Sequence, residues 1–80
     1  MNIGMLWFDK NPNTSLAEKI QAAADYYKAK YGRAPNLCFV HPSLKDGIST
    51  VGEIEVRTLA TIRPNNLWLG VDDVLVEILK

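Results

Sequence analysis

The sequence predicts an α+β domain: a β-α-β start followed by an antiparallel β-meander, with one main helix packed on a sheet of four to five strands. Three features carry this expectation. The chain opens on a short apolar run with aromatic residues, continues into a capped amphipathic segment, and ends in brief β-branched and aromatic runs divided by turn residues.

The first run is Ile3 to Phe8. At a period of two, Ile3, Met5 and Trp7 share one face, and Leu6 and Phe8 share the other. A strand apolar on both faces normally lies inside a sheet and is covered on both sides. Asp9-Lys10-Asn11-Pro12-Asn13 then supplies turn residues. Ser15-Leu16-Ala17-Glu18 has the capping-box form, with serine at the N-cap and glutamate three residues on. Leu16, Ile20, Ala23, Tyr27 and Tyr31 follow on one helical face, and Gly32 stands where a helix-ending glycine belongs, with Pro35 beyond it. The spacing predicts a helix over 16–31.

Leu37-Cys38-Phe39-Val40-His41 reads as a second strand ended by Pro42. Strand, helix and strand in that order predict a right-handed crossover with the two strands parallel. Past the turn at Lys45-Asp46-Gly47, Ile54 and Val56 alternate with Glu53, Glu55 and Arg57, the pattern of a strand with one wet face. That strand is expected to extend through 59–62 and to form a hairpin with Leu67-Trp68-Leu69-Gly70-Val71 across the turn Arg63-Pro64-Asn65-Asn66. Residues 72–80 fit a short terminal helix through Val74, Leu75, Ile78 and Leu79, and as an alternative a strand.

Eighty residues make a single domain, 1–80. A chain of this size buries only about 60–65% of the surface its unfolded form exposes, so its stability margin is thin. The composition, 48% hydrophobic and 22% charged, is that of a globular protein. Nine basic residues balance nine acidic ones, which removes any global attraction to nucleic acid or anionic membrane. The single cysteine excludes a disulfide framework and an all-cysteine metal site, and fits a reducing compartment. There is no basic n-region at the start and no run near the roughly 20 apolar residues of a membrane span, so a soluble, cytoplasmic protein is expected.

Phosphate loops, dinucleotide fingerprints, paired-cysteine zinc patterns and nucleophile elbows are all missing. No cofactor and no metal is implied, since one histidine supplies one good nitrogen ligand per chain. The residues with chemical potential are Asp9 and His41, each at the end of a strand, and Ser43 close by. On parallel neighbouring strands both ends fall at the carboxyl edge of the sheet, where ligand sites of open α/β sheets lie. His41 could then serve as a general base oriented by Asp9. The plainer alternative is a turn at Asp9 and a strand-end hydrogen bond at His41. Cys38 is three residues from His41, on the opposite face of a regular strand, and reads as a small buried hydrophobe.

Lys28, Lys30, Arg33, Arg57 and Arg63, with Tyr26 or Trp68 for stacking, outline a nucleic-acid reading. Against it stand the neutral balance, the acidic Glu53 and Glu55, and the preference of cations for a helix C-terminus, which accounts for the first three. The remaining signal is a burial problem. One helix covers one sheet face, and the apolar side chains of the other face need cover from the short C-terminal element or from a second chain. Small domains often answer this by oligomerising, most commonly as two-fold dimers. Trp68, Tyr26 and Trp7 are the expected contact residues.

The run Tyr26-Tyr27-Lys28-Ala29-Lys30-Tyr31-Gly32-Arg33-Ala34-Pro35-Asn36-Leu37-Cys38-Phe39-Val40-His41-Pro42 and the later Pro64-Asn65-Asn66-Leu67-Trp68-Leu69-Gly70-Val71 resemble a group of small uncharacterised bacterial proteins. The resemblance covers about a third of the chain. It implies a compact family domain and carries over no catalytic residue, because that group has no established activity. The expected function is therefore a non-catalytic, self-associating interaction domain. The alternatives are a small enzyme or ligand-binding protein using Asp9, His41 and Ser43, and a nucleic-acid binder.

Overall fold

The computed structural model describes residues 4–44 and 47–72. Its elements are β1 (Gly4–Phe8), α1 (Leu16–Tyr31), β2 (Leu37–Val40), a 3-10 turn (Pro42–Leu44), β3 (Thr50–Val51), β4 (Ile54–Thr58) and β5 (Asn66–Gly70). The α+β class, the β-α-β start and the single main helix on the sheet are all present.

The helix begins and ends on the residues that its sequence signals name. The backbone N–H of Glu18 donates to Ser15 Oγ at 3.2 Å, and the Ser15 hydroxyl reaches Glu18 Oε1 at 3.0 Å. At the other end Gly32 takes φ +80°, a left-handed conformation that costs a side chain-bearing residue energy, and its N–H closes on Lys28 O at 2.8 Å. Ile20, Ala23, Ala24 and Tyr27 form the buried face.

The five strands lie in the order β1-β5-β2-β4-β3. Two expectations are corrected here. The first is the interior place read for β1, which lies at the edge of the sheet. β1 and β2 run in the same direction without touching, because β5 inserts between them antiparallel to both, with Met5 opposite Leu69 and Cys38 opposite Leu69 on its two sides. The crossover through α1 carries the chain one strand-width further than a direct neighbour, and the apolar β5 fills the slot. β2 gains its other partner in β4, to which it is parallel, with Cys38 opposite Val56. The second correction concerns 59–62, which are not a strand. Leu59 N–H bonds to Val40 O at 2.9 Å, Ile62 N–H turns back onto Leu59 O at 3.1 Å, and the pairing of β4 stops at Thr58. β4 instead pairs antiparallel with β3, across a two-residue loop at Gly52-Glu53 in which Gly52 supplies the positive φ of +59°. The expected terminal element lies, from residue 73 on, outside the described residues.

β5 is delivered by a type II turn. Asn66 N–H bonds to Arg63 O at 3.1 Å, Pro64 takes the position that fixes φ, and Asn65 accepts φ +72°. Asn65→Val puts a β-branched side chain into that left-handed position, and urea denaturation is expected to show a loss of about 1–2 kcal/mol. Asn65→Gly is expected to keep full stability.

The core lies between α1 and one sheet face. Met5, Ile20, Ala23, Ala24, Tyr27, Cys38, Val40, Ile54, Val56, Leu67, Leu69 and Val71 belong to it. Asn36 ties the sheet at the start of β2: its side chain accepts from Asp72 N–H at 2.7 Å and donates to Asp72 O at 3.1 Å.

Candidate functional site

The side of the sheet away from α1 is partly bare. Period-two alternation turns Met5 and Trp7 toward the helix, and Leu6 and Phe8 away from it, where they are 63% and 61% exposed. The register places Trp68 opposite Leu6 on one side and Phe39 on the other. The Phe39 and Trp68 rings meet at 5.8 Å with a 52° tilt, an ordinary aromatic contact. The indole of Trp68 lies across Gly4 so closely that no Cβ would fit there. This face is apolar and aromatic over β1, β5 and β2, exposed at Leu6 and Phe8, half-buried at Phe39 and Trp68, and covered at Leu37, which is 1% exposed. At its far side it ends on the exposed Glu55–Arg57 ion pair, 3.0 Å long, whose bond to Glu55 raises the Arg57 pKa further. At the near end, Thr61, Ile62 and Arg63 border a shallow cavity of about 240 Å³ beside Leu6.

The expected contact residues separate into two groups. Trp68 lies on the bare face. Trp7 and Tyr26 lie together on the helix side, rings 5.2 Å apart, with Tyr26 half exposed. Among the described residues the buried Trp7 Nε1–H has no hydrogen-bond acceptor. Phe39 is the member that sequence reasoning passed over. Its signal was present in the alternation with Cys38 and Val40, both of which are buried in the core.

The carboxyl edge of β1 and β2 carries a second feature. Asp9, Thr14, Leu16, Lys19, Ser43, Leu44, Asn65 and Leu67 line a cavity of about 310 Å³ there. Asp9 and Ser43 share this cavity, and β5 stands between β1 and β2. The Asp9 carboxylate accepts from Asn11 N–H at 2.9 Å, closing a turn, and Lys19 Nζ reaches the Asp9 carbonyl at 3.2 Å. His41 bonds to Ser43 without lining the cavity. Its Nδ1 lies 2.7 Å from Ser43 Oγ and accepts from Ser43 N–H at 3.1 Å. The pair sits two residues apart and shapes the 3-10 turn at Pro42–Leu44.

The basic residues occupy different parts of the molecule. Lys28, Lys30 and Arg33 are exposed around the end of α1, with Lys30 Nζ 5.3 Å from the Tyr31 ring. Arg57 is paired on the bare face, and Arg63 lies in the turn at the opposite end of the sheet. Cys38 is fully buried, and burial pushes its thiol up to about 12, far from thiolate chemistry at neutral pH. Among the described residues no three histidine, cysteine or acidic side chains group as a metal site, and no helix is long and apolar enough to cross a membrane.

No protein-family model matches the chain, and no curated protein and no solved structure matches it significantly. The functional reading therefore rests on the surface and cavity just described.

Proposed function

We propose that this chain is a non-catalytic interaction domain that associates with a second copy of itself through the apolar surface on the side of the sheet away from α1. The observation that supports this is the pair Leu6 and Phe8, 63% and 61% exposed and neighbours of the Phe39–Trp68 aromatic pair. The exposed Leu6 and Phe8, beside the half-buried Phe39 and Trp68, favour removal from water, and adjoining exposed apolar residues mark contact sites more often than scattered ones do. The zero formal net charge of the chain leaves two copies free of mutual repulsion. The edge cavity supports less, because its Asp9 is engaged by Asn11 and its His41–Ser43 contact is accounted for by a local turn. The basic residues support less again, lying at separate places on the surface.

Light scattering on a sizing column, across a concentration series, tests the reading. Twice the chain mass of 8.9 kDa is expected at the upper concentrations. Phe8→Asp, which sets a charge in the contact and leaves the core untouched, is expected to raise the dissociation constant roughly thirtyfold or more, the effect of losing one well-buried interface anchor. A monomer mass throughout, or an unaltered dimer for Phe8→Asp, would remove the proposal.

A further inference from the structure

β1 ends the sheet, and among the described residues no strand pairs with its outer side. Its backbone shows which groups that side presents. Asp9 N–H bonds to Asn65 O, directly opposite it in the β1–β5 register. In an antiparallel ladder hydrogen-bonded pairs alternate with non-bonded ones. Asp9, Trp7 and Met5 therefore turn their N–H and C=O groups to β5, while Gly4, Leu6 and Phe8 turn theirs outward. Proteins normally blunt such an edge with lysine, proline or a bulge. β1 is Gly-Met-Leu-Trp-Phe, with no charge and no proline, and its five pairs to β5 run without a bulge.

We infer that two copies of this chain pair along β1, edge to edge and antiparallel, about a two-fold axis at Leu6, so that the two sheets become one. This deepens the self-association reading and rests on it. The occupant is a second copy because the edge is complementary to itself. Outward-facing residues must meet outward-facing residues, and among the described residues only a register centred on Leu6 uses all of them: Leu6 against the partner's Leu6, and Gly4 against the partner's Phe8, twice. Any shift by two residues discards a pair. The same register brings side chains together on the bare face. The place over Gly4 is taken by the Trp68 indole, so the partner's Phe8 arrives against Trp68 and extends the Phe39–Trp68 pair across the axis. The exposed Phe8 and the missing side chain at position 4 are then one device, a ring supplied by one copy to an indole held by the other. β1 is free of charge, so no like charges face each other between Gly4 and Phe8.

Three variants separate edge pairing from face-to-face stacking of the two bare surfaces, each followed by light scattering with far-ultraviolet circular dichroism as the check on folding. Leu6→Pro removes an N–H that points outward and takes no part in the β1–β5 ladder, a place where an edge strand tolerates proline. It removes two hydrogen bonds per dimer and is expected to weaken the dimer roughly 10–100-fold. Phe39→Lys sets a charge two strands in from the edge, beside the indole that the partner's Phe8 meets, and is expected to weaken the dimer by less than Leu6→Pro does, about threefold to tenfold. Leu6→Cys brings two thiols to positions about 5.5 Å apart between Cα atoms, within disulfide reach, and mild oxidation is expected to give a covalent dimer without the buried Cys38 taking part. The cross-link decides the matter if Leu6→Pro does not fold. A dimer that survives Leu6→Pro but is lost with Phe39→Lys, or no cross-link from Leu6→Cys in a dimeric sample, overturns the edge pairing and leaves the self-association reading standing. A monomer at every concentration of the unsubstituted chain overturns both.

Discussion

Leu69→Ala is expected to cost about 2–5 kcal/mol, the range for truncating a buried leucine where the site collapses only partly. Leu69 is fully buried on β5, the strand between β1 and β2, opposite Met5 on one side and Cys38 on the other. Both sides of its strand are fixed by ladders and α1 lies over its face, so little can move in to fill the space. An 80-residue domain has roughly 4–12 kcal/mol of stability in all, at about 0.05–0.15 kcal/mol per residue. The variant is therefore expected to lose at least about a sixth of its stability, and where the largest loss meets the smallest total to populate the unfolded state without denaturant. Leu59→Ala is the matched comparison. Leu59 is 42% exposed and held by its backbone N–H on Val40 O, which the substitution keeps, so a change within about 0.5 kcal/mol is expected. Urea denaturation of the two variants at one protein concentration, so that any association affects both alike, measures the difference. Equal midpoints would mean that β5 does not occupy the centre of the packed sheet.

How much of this was legible in the sequence depends on the range of the interactions involved. The helix was read to its ends because its signals are local: Ser15 and Glu18 bond within one turn, and Gly32 closes on Lys28 four residues back. The division of β1 and β4 into two faces was also legible, since alternation is a property of the strand alone, but the cover expected over both faces of β1 is missing from one of them. Ile54 and Val56 are buried while Arg57 is exposed, and Leu6 and Phe8 are exposed while Met5 is buried. Strand order was not legible. Whether β5 extends a hairpin or enters between β1 and β2 depends on which slot the crossover leaves open, and no residue within β5 encodes that. The run 59–62 was misread because its apolar residues, Leu59, Ala60 and Ile62, fit a strand by composition, while the backbone bond from Ile62 to Leu59 closes a turn instead. The site inherited both outcomes. Trp68 and the bare face followed from alternation. Joining Trp7 and Tyr26 to Trp68 did not, because shared aromatic character says nothing of which side of the sheet a residue takes. The Asp9–His41 pairing depended on β1 and β2 being adjacent, and β5 separates them.

The same burial that makes Cys38 chemically quiet makes it a source of pH-dependent stability. Its thiol is fully buried among apolar neighbours, and desolvation of the thiolate moves its pKa from 9.0 to about 12. In the unfolded chain the thiol deprotonates near its ordinary value. Between pH 9 and 12 the unfolded state consequently holds fewer protons than the folded one, and stability falls as pH rises. Below pH 9 both states keep the proton and the contribution is fully present. Above about pH 12 both have lost it and the contribution is gone. A shift of this size corresponds to about 4 kcal/mol over the whole window, at about 1.4 kcal/mol per pH unit. Tyr27 acts in the same direction, since burial and the neighbouring Tyr31 raise its pKa above 10.0, so the slope steepens where the two windows overlap. Urea denaturation at pH 8, 9, 10 and 11 is expected to show a flat first interval followed by a decline. Cys38→Ala is less stable at pH 8 because it leaves a small cavity, yet it is expected to hold nearly level between pH 9 and 10, where Tyr27 contributes little. The difference in slope, rather than in absolute stability, carries the test: parallel curves for the two proteins would show that water reaches the sulfur from the sheet side of the core.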